Sequence, residues 1–290
     1  MERGLVSVVI PNYNYAHFLR ETIDSVLSQS YSPIEIIVVD DGSKDKSKDV
    51  LAEYGDKIKT IFQQNQGVAV ARNNGLWASS GEFIAFLDAD DLWLPEKVAK
   101  QITKFADDNR IGLVHVGVDE IDTDGNSISK RLDGSEGDAT GDLLALGLRG
   151  VLGGGSGLMV RRSVFDEVGG FDRRLSTSAD WDLFYSVAAR YRVGFVQEIL
   201  LKYRIHGSNM HANVELMEHD MLIAFGKALC GKPRSETRRP YSILYKTLAG
   251  SYFRNRKYGA FIRSAMQSVV RRPANLGYFL KFPLRRMGAR

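Results

Sequence analysis

"FIAFLDADDLWLP" (residues 83–95) runs from an unbroken apolar stretch into three acids within four positions, Asp88, Asp90 and Asp91. A buried strand gains nothing from so much negative charge at its end, because a desolvated carboxylate is costly unless it is paired. The acids point instead to a positive partner at the mouth of a strand. Residues two apart in extended chain face the same side, so an extended "DAD" aims Asp88 and Asp90 at one point while Ala89 turns away. Two hard oxygen ligands with open positions suit Mg2+ or Mn2+, which keep waters and bridge to phosphates. A solvated loop with an acidic cap before the helix at 95 is the plainer reading of the same residues.

The segments on either side repeat the pattern. "LVSVVIP" (5–11), "IEIIVVDDGS" (34–43), "KIKTIFQ" (57–63) and "GLVHVGVDEID" (112–122) read as strands. Between them, "AHFLRETIDSVLSQ" (16–29), "SKDVLAEYG" (47–55), "GVAVARNNGLWASSG" (67–81) and "PEKVAKQITKFADD" (95–108) read as helices, the last with Pro95 at its first helical position. Near-continuous apolar strands alternating with helices imply an α/β protein whose mostly parallel sheet is covered on both faces. Ligands of such sheets bind beyond the carboxyl ends of the strands, where "VVDDGS" and "FLDADD" both place their acids.

Beyond about residue 120 the pattern loosens. Residues 122–141 are polar and glycine-containing, a loop over one edge. "GVLGGGSGLMVRRSVFDEVGGFD" (150–172) is glycine-rich, then a short strand and helix. "SADWDLFYSVAARY" (178–191) is a helix with Ser178 as N-cap, and "GFVQEILLKYRIHGSN" (194–209) is extended chain ending in a turn. From about 211 the chain reads as helical.

Length, 290 residues, fits one large α/β domain with an appendage, or two small domains. One cysteine, Cys230, excludes an internal disulfide, and there is no signal-peptide pattern or uninterrupted membrane-spanning apolar run. The chain reads as cytosolic. Residues 232–290 hold fifteen Lys and Arg against one acid, Glu236, so the remainder is acidic and the tail strongly basic.

Three stretches resemble the inverting glycosyltransferases of family 2. They are "VSVVIPNYNYAHFLRETIDSVLSQSYSPIEIIVVDDGSKDKS" (6–47), "NQGVAVARNNGLWASSGEFIAFLDADDLWLPEKV" (65–98) and "VGGFDRRLSTSADWDLFYSVA" (168–188), joined by "YRIHGSN" (203–209). The resemblance implies a GT-A catalytic domain over 1–210, its donor half about 1–120 and its acceptor half about 121–210, with a helical extension over 211–290. It implies hexosyl transfer from a nucleotide diphosphate, UDP by family habit, to a saccharide or lipid-linked acceptor in surface polysaccharide synthesis, with Mn2+ or Mg2+ as cofactor. By position, Pro11 and Tyr13 resemble the first nucleotide-binding segment, with Tyr13 against the base. Asp40, more than Asp41, would accept hydrogen bonds from base or ribose. Arg72 would lie near the nucleotide and the acids, Asp88 and Ala89 would contact the donor, and Asp88 and Asp90 would hold the metal. The family's general base stands in a Glu-Asp pair; here Ala179 replaces the first acid, leaving Asp180 as base and Asp182 as second choice. His206 resembles the family's late histidine near metal or diphosphate, and His211 is a weaker alternative.

The tail carries its own pattern. In "KYGAFIRSAMQSVVRRP" (257–273), Tyr258, Phe261, Ile262, Ala265, Met266, Val269 and Val270 form one helical stripe, an amphipathic helix. The stripe fits docking on the catalytic domain or a neighbouring tail helix, or attachment to an anionic membrane surface. Nucleic acid, a third partner for basic residues, is disfavoured by the acidic body. A nucleotidyltransferase and a non-catalytic nucleotide-sugar binding protein are the rival functions, although the Gly-rich basic N-terminal loop of the former is missing, since "IPNYNY" stands there.

Overall fold

The computed structural model describes residues 2–147, 149–207 and 213–282. His211, together with the last two residues of "YRIHGSN", falls outside them. Nine strands form one sheet. They are β1 (Glu2–Asn12), β2 (Ile34–Asp40), β3 (Lys59–Phe62), β4 (Gly81–Phe86), β5 (Leu92–Trp93), β6 (Ile111–Ile121), β7 (Ser127–Arg131), β8 (Met159–Arg161) and β9 (Arg192–Arg204). The helices are α1 (Ala16–Leu27), α2 (Ser47–Ala52), α3 (Val68–Ala78), α4 (Lys97–Asp107), α5 (Thr140–Ala145), α6 (Gly154–Gly157), α7 (Arg162–Val168), α8 (Ala179–Ala188), α9 (Val214–Ala228), α10 (Arg234–Arg254), α11 (Tyr258–Arg271) and α12 (Leu276–Leu280).

The strand order is β3-β2-β1-β4-β8-β6-β9-β5, with β7 paired to β6. β3, β2, β1 and β4 are mutually parallel, and β9 runs parallel to β6. β8 is antiparallel to both β4 and β6, so the sheet is parallel through its first half and mixed beyond. Every long strand still ends on the same side. The order reverses at β1, which opens a crevice beyond the ends of β1 and β4.

Alternation shows why both faces are buried. Val8 and Ile10 pack with α1 and α4 residues such as Leu19, Ile23, Val98 and Phe105, while Val9 between them packs with Leu76, Phe165 and Leu183 of α3, α7 and α8. In β4, Phe83 and Ala85 join the first cluster and Ile84 and Phe86 the second. A slip of one residue would exchange the two cores without exposing either, so the ends of the strands must set the register.

Three local expectations need correction. Pro95 precedes α4, which starts at Lys97 with Glu96 as N-cap. The Pro95 carbonyl is taken by the backbone N–H of Ser30 (2.8 Å), which ties the turn to the end of α1. Residues 122–141 are not simply a loop, because β7 pairs antiparallel with β6 over Val118–Ile121. Nor is "DAD" extended: β4 ends at Phe86, and the Asp91 N–H donates to the Asp88 carbonyl (3.1 Å), closing a turn.

The C-terminal helices pack on the body through their own cluster, with Met221, Phe225, Leu244, Leu248 and Tyr252 at its centre. Trp181 of α8 stacks on Phe225, ring centres 4.8 Å apart. α10 and α11 form a helical hairpin closed by small residues. Ser268 Oγ donates to the Ser242 carbonyl (2.8 Å) and Ser242 Oγ to that of Ser268 (3.2 Å).

Candidate active site

Arg72 is the centre of the crevice. Its side chain is 4% exposed and its guanidinium forks between two carboxylates from distant parts of the chain. Nη2 donates to Asp88 Oδ1 (2.7 Å) and Nη1 to Asp180 Oδ1 (2.6 Å). Burial alone would lower the guanidinium pKa, but Asp180 and Asp88 more than reverse it, so the net direction is up. Phe171 offers its ring 5.2 Å from the guanidinium carbon.

The glycine-rich segment fits around this pair. The Gly155 N–H donates to Asp180 Oδ2 (3.1 Å), and a Cβ at Gly155 would meet Arg72 Nη2 at 2.7 Å. Gly153 has φ +78°, and a Cβ there would meet Leu201 at 2.5 Å. Only glycine satisfies both the conformation and the space. Ser156 Oγ accepts the Asp88 N–H (3.0 Å), and the Ser156 carbonyl accepts Trp93 Nε1–H (2.9 Å).

The other two acids of the turn face a different group. His206 Nε2 lies 2.9 Å from Asp90 Oδ2, with Tyr15 and Phe18 against the imidazole. Burial raises the Asp90 pKa, and the charge of Asp88 raises it further, against the opposing pull of His206. Asp91, which had no assigned task, is buried and accepts the Arg204 N–H at Oδ1 (2.8 Å), while its Oδ2 has no hydrogen-bond partner. Burial, then Asp90 and Asp88, push its pKa well up. Among the described residues no set of three or more His, Cys, Asp or Glu converges as a metal cage. A cation held by one or two carboxylates and substrate phosphates requires no such cage, and Asp88, Asp90 and Asp91 crowd together with an excess of negative charge. The donor chemistry therefore fits Mn2+ or Mg2+.

At the ends of β1 and β2, Asp40 is buried, accepting Asn12 Nδ2–H (2.8 Å) at one oxygen and the Ser43 N–H (2.9 Å) at the other. Asp41 takes the N–H groups of Gln66 (2.9 Å) and Gly67 (2.8 Å), holding the loop that opens α3. Tyr13 is 43% exposed at the lip of the crevice, whereas Pro11 and Ala89 are buried. Asp182 sits elsewhere: its Oδ2 accepts Lys227 Nζ–H (2.6 Å), a bond between α8 and α9 that leaves it away from Arg72. Burial raises its pKa, with Lys227 opposing.

Several site residues had no sequence reading. Asn12, Ser156, Tyr203 and Arg204 all lie in the crevice. Burial raises the Tyr203 pKa first, followed by the charges of Asp91, Asp88, Asp90 and Asp180. Arg204 covers the Phe18 ring at 4.4 Å and donates to the Asp90 carbonyl (2.9 Å). Asp220 of α9 is the least expected. Ser178 is the N-cap of α8 but its side chain makes no capping bond; the fully buried Asp220 carboxylate instead accepts the N–H groups of Ser176 (2.7 Å) and Thr177 (2.8 Å). The helix that carries Asp180 is thus anchored from the extension. A lone acid on the buried face of "VELMEHDMLIAF" was the available signal.

A cavity of about 650 Å3 adjoins the crevice, between Val118, Glu120 and Arg131 on one side and Gly153, Gly154, Tyr203 and His206 on the other. Its floor is braced by His115, fully buried on β6. The His115 Nδ1 accepts the Leu152 N–H (3.1 Å) and Nε2 lies 2.9 Å from the Ser135 carbonyl, a network that calls for the neutral Nε2–H tautomer. Burial depresses its pKa to about 4 from 6.5. A depressed folded-state pKa stabilises fully above 6.5 and is lost as pH falls toward 4. Denaturant unfolding should lose about 3 kcal/mol between pH 7 and pH 4 from this group alone. His115→Gln should lack that component, and equal pH dependence in the two proteins would refute the assignment.

A family model described as "Glycosyl transferase family 2" matches residues 7–169. An uncharacterized glycosyltransferase of Nostoc sp. is 39% identical over 220 residues, 71% of this chain and 66% of its own length. One of Rickettsia typhi is 37% identical over 204 residues, 70% of this chain and 64% of its own. A Bacillus subtilis glycosyltransferase named provisionally for teichuronic acid biosynthesis is 36% identical over 132 residues, 44% of this chain and 52% of its own. The matches thus span about two thirds or less of these relatives. Among solved structures, S. aureus TarS 1–349 in complex with UDP-GlcNAc superposes with TM-score 0.68 at 16% identity, covering 92% of this chain and 81% of that one. A mannosyltransferase from Pyrobaculum calidifontis in complex with GDP-Man and Mn2+ gives TM-score 0.61 at 21% identity, over 96% and 80%. Their likeness establishes the fold, and the match over more than half of the sequence establishes the rest: this chain belongs to glycosyl transferase family 2, built on a GT-A fold.

Proposed function

We propose that the protein transfers a sugar from a nucleotide diphosphate donor to an acceptor hydroxyl with inversion, Asp180 acting as general base. The observation that supports this best is the Arg72 fork, whose bond to Asp180, 108 residues away in sequence, sets that carboxylate beside the acidic turn. Arg72 on one oxygen and the Gly155 N–H on the other hold the carboxylate in a fixed position at the crevice. The Asp180 side chain is 24% exposed, open toward the crevice. In a single displacement that proton must leave the acceptor as the new bond to the anomeric carbon forms.

Asp88 and Asp90 would hold Mn2+ or Mg2+, which supplies charge neutralisation for the departing diphosphate. Tyr13 would lie against the base, and Asp40 would accept from base or ribose, with Pro11, Asp41 and Ala89 shaping that lip. His206 orients Asp90 in this arrangement. UDP is the favoured nucleotide, supported by the complexes of TarS with UDP and UDP-GlcNAc. The cavity between Glu120, Arg131 and Gly154 would receive the acceptor, a saccharide or lipid-linked saccharide of surface polysaccharide synthesis. Among the described residues no helix is long and apolar enough to cross a membrane; a peripheral place on the inner face, through 232–290, fits such an acceptor.

Thermal-shift screening of nucleotide sugars with Mn2+ present tests the reading. One nucleotide class should stabilise the protein, and the same donor should be turned over when an acceptor panel is supplied. Stabilisation without turnover of any donor would favour the non-catalytic rival. Asp90→Ala should weaken Mn2+-dependent UDP binding at least about tenfold, read by titration with and without the metal. Undiminished metal dependence would remove Asp90 from the metal site.

A further inference from the structure

α11 is turned the wrong way round for a helix of a water-soluble surface. Its small polar residues face the protein, Ser264 and Ser268 being fully buried against α10, and Phe261 points inward, against Phe253 and Phe282, with Val269 half-buried. Its outer face is a row four residues apart: Tyr258 is 55% exposed, Ile262 56%, Met266 63% and Val270 69%. Leu276 and Leu280 continue the exposed apolar surface through α12. The sequence stripe is therefore split: Phe261 docks on α10 beside the serine face, whereas Tyr258, Ile262, Met266 and Val270 stay outward. Close packing through serines fixes α11 in this orientation, because both hydroxyls of the Ser242–Ser268 pair bond the opposite carbonyl.

We propose that this row is a docking face for an anionic lipid surface. The supporting observation is charge. Within 232–282 there are twelve Lys and Arg against Glu236; of those beside the row, Lys257 and Arg263 pair with Glu215 and Glu218 of α9, while Arg271 and Arg272 stand at the end of α11. A second copy docking through the same face would bring two such basic surfaces together. An anionic bilayer supplies the opposite charge and an apolar interior for the row, the arrangement by which amphipathic helices lie in a membrane interface. The inference deepens the peripheral-membrane reading given above and is independent of the transfer chemistry.

Co-sedimentation of the full chain with vesicles tests it, using phosphatidylcholine alone or mixed with phosphatidylglycerol. The protein should bind the mixed vesicles at low salt, release in high salt and ignore phosphatidylcholine. Ile262→Glu combined with Met266→Glu should lower partitioning at least about tenfold, with circular dichroism and donor hydrolysis unchanged, since both positions are exposed and remote from the crevice. Equal binding by the double variant would overturn the face while leaving the membrane reading standing. No binding by the unaltered protein to the mixed vesicles would overturn both, and salt-insensitive binding to phosphatidylcholine would overturn the anionic partner. A concentration-dependent dimer in sedimentation velocity, abolished by the double variant, would assign the face to a second copy.

Discussion

Asp180→Asn should lower kcat about a thousandfold while leaving donor binding within a few fold. General-base removal typically costs between about a hundredfold and ten thousandfold, and asparagine keeps the shape of the group while ending its role as proton acceptor. The substitution also sets a local conflict. Asp180 now accepts from Arg72 at Oδ1 and from Gly155 at Oδ2, so the asparagine amide must present its NH2 to one of two donors. Stability should fall modestly, and Arg72 keeps its bond to Asp88. Turnover measured at saturating donor, beside UDP binding in Mn2+, separates loss of the base from loss of the site. Unchanged turnover would exclude Asp180 from proton transfer. Asp182→Asn offers the contrast: its partner is Lys227, so its effect should fall on stability and leave turnover near that of the unaltered protein.

Arg72→Met should destabilise the fold by about 3–5 kcal/mol, the range seen when one member of a buried ion network is removed and charge is left without compensation. The side chain fills its site and answers two carboxylates at once, Asp88 and Asp180. Arg72→Lys should recover little of the loss. One ammonium is a point charge and cannot reach both carboxylates in the fork geometry of a guanidinium. Denaturant midpoints at neutral pH measure the effect. A deficit under about 1 kcal/mol would show the fork to be a surface-type pair in energetic terms. Transfer should be lost alongside, because both halves of the site hang from this residue.

The sheet was readable because a strand buried on both faces leaves an apolar run that little else in a soluble chain produces, and because acids at its end have few structural uses. Which residues meet was less readable. Asp88 and Asp180 both stood out, yet their common dependence on Arg72 arises from the crossing of α3, β4 and α8, and no local spacing encodes it. Asp91 illustrates the opposite error. It looked redundant beside Asp88 and Asp90, but its burial under Arg204 fixes the turn that presents the other two. Asp220 was invisible for a different reason: capping a helix from another helix leaves no motif, only an acid where an apolar residue would be expected. For α11 the periodicity was correct, and the sequence left open which way the stripe faced. A hydrophobic stripe says that one face differs from another, and the facing serines decided which of them the protein would keep for itself.

On the proposed placement of the acceptor in the cavity, the contact between Gly155 and Arg72 bears on how acceptor choice can be altered by substitution. Positions 153 and 155 admit no side chain without displacing Leu201 or the guanidinium, so libraries that randomise the glycine-rich wall of the cavity will return mostly unfolded or inert clones. The opposite wall, where Glu120 and Arg131 stand on the β6–β7 ribbon, is built from side chains rather than from glycine backbone. Diversity introduced there can reshape the cavity while the fork beneath stays intact. One side of the pocket is closed to variation, and the other is where new specificities can be sought.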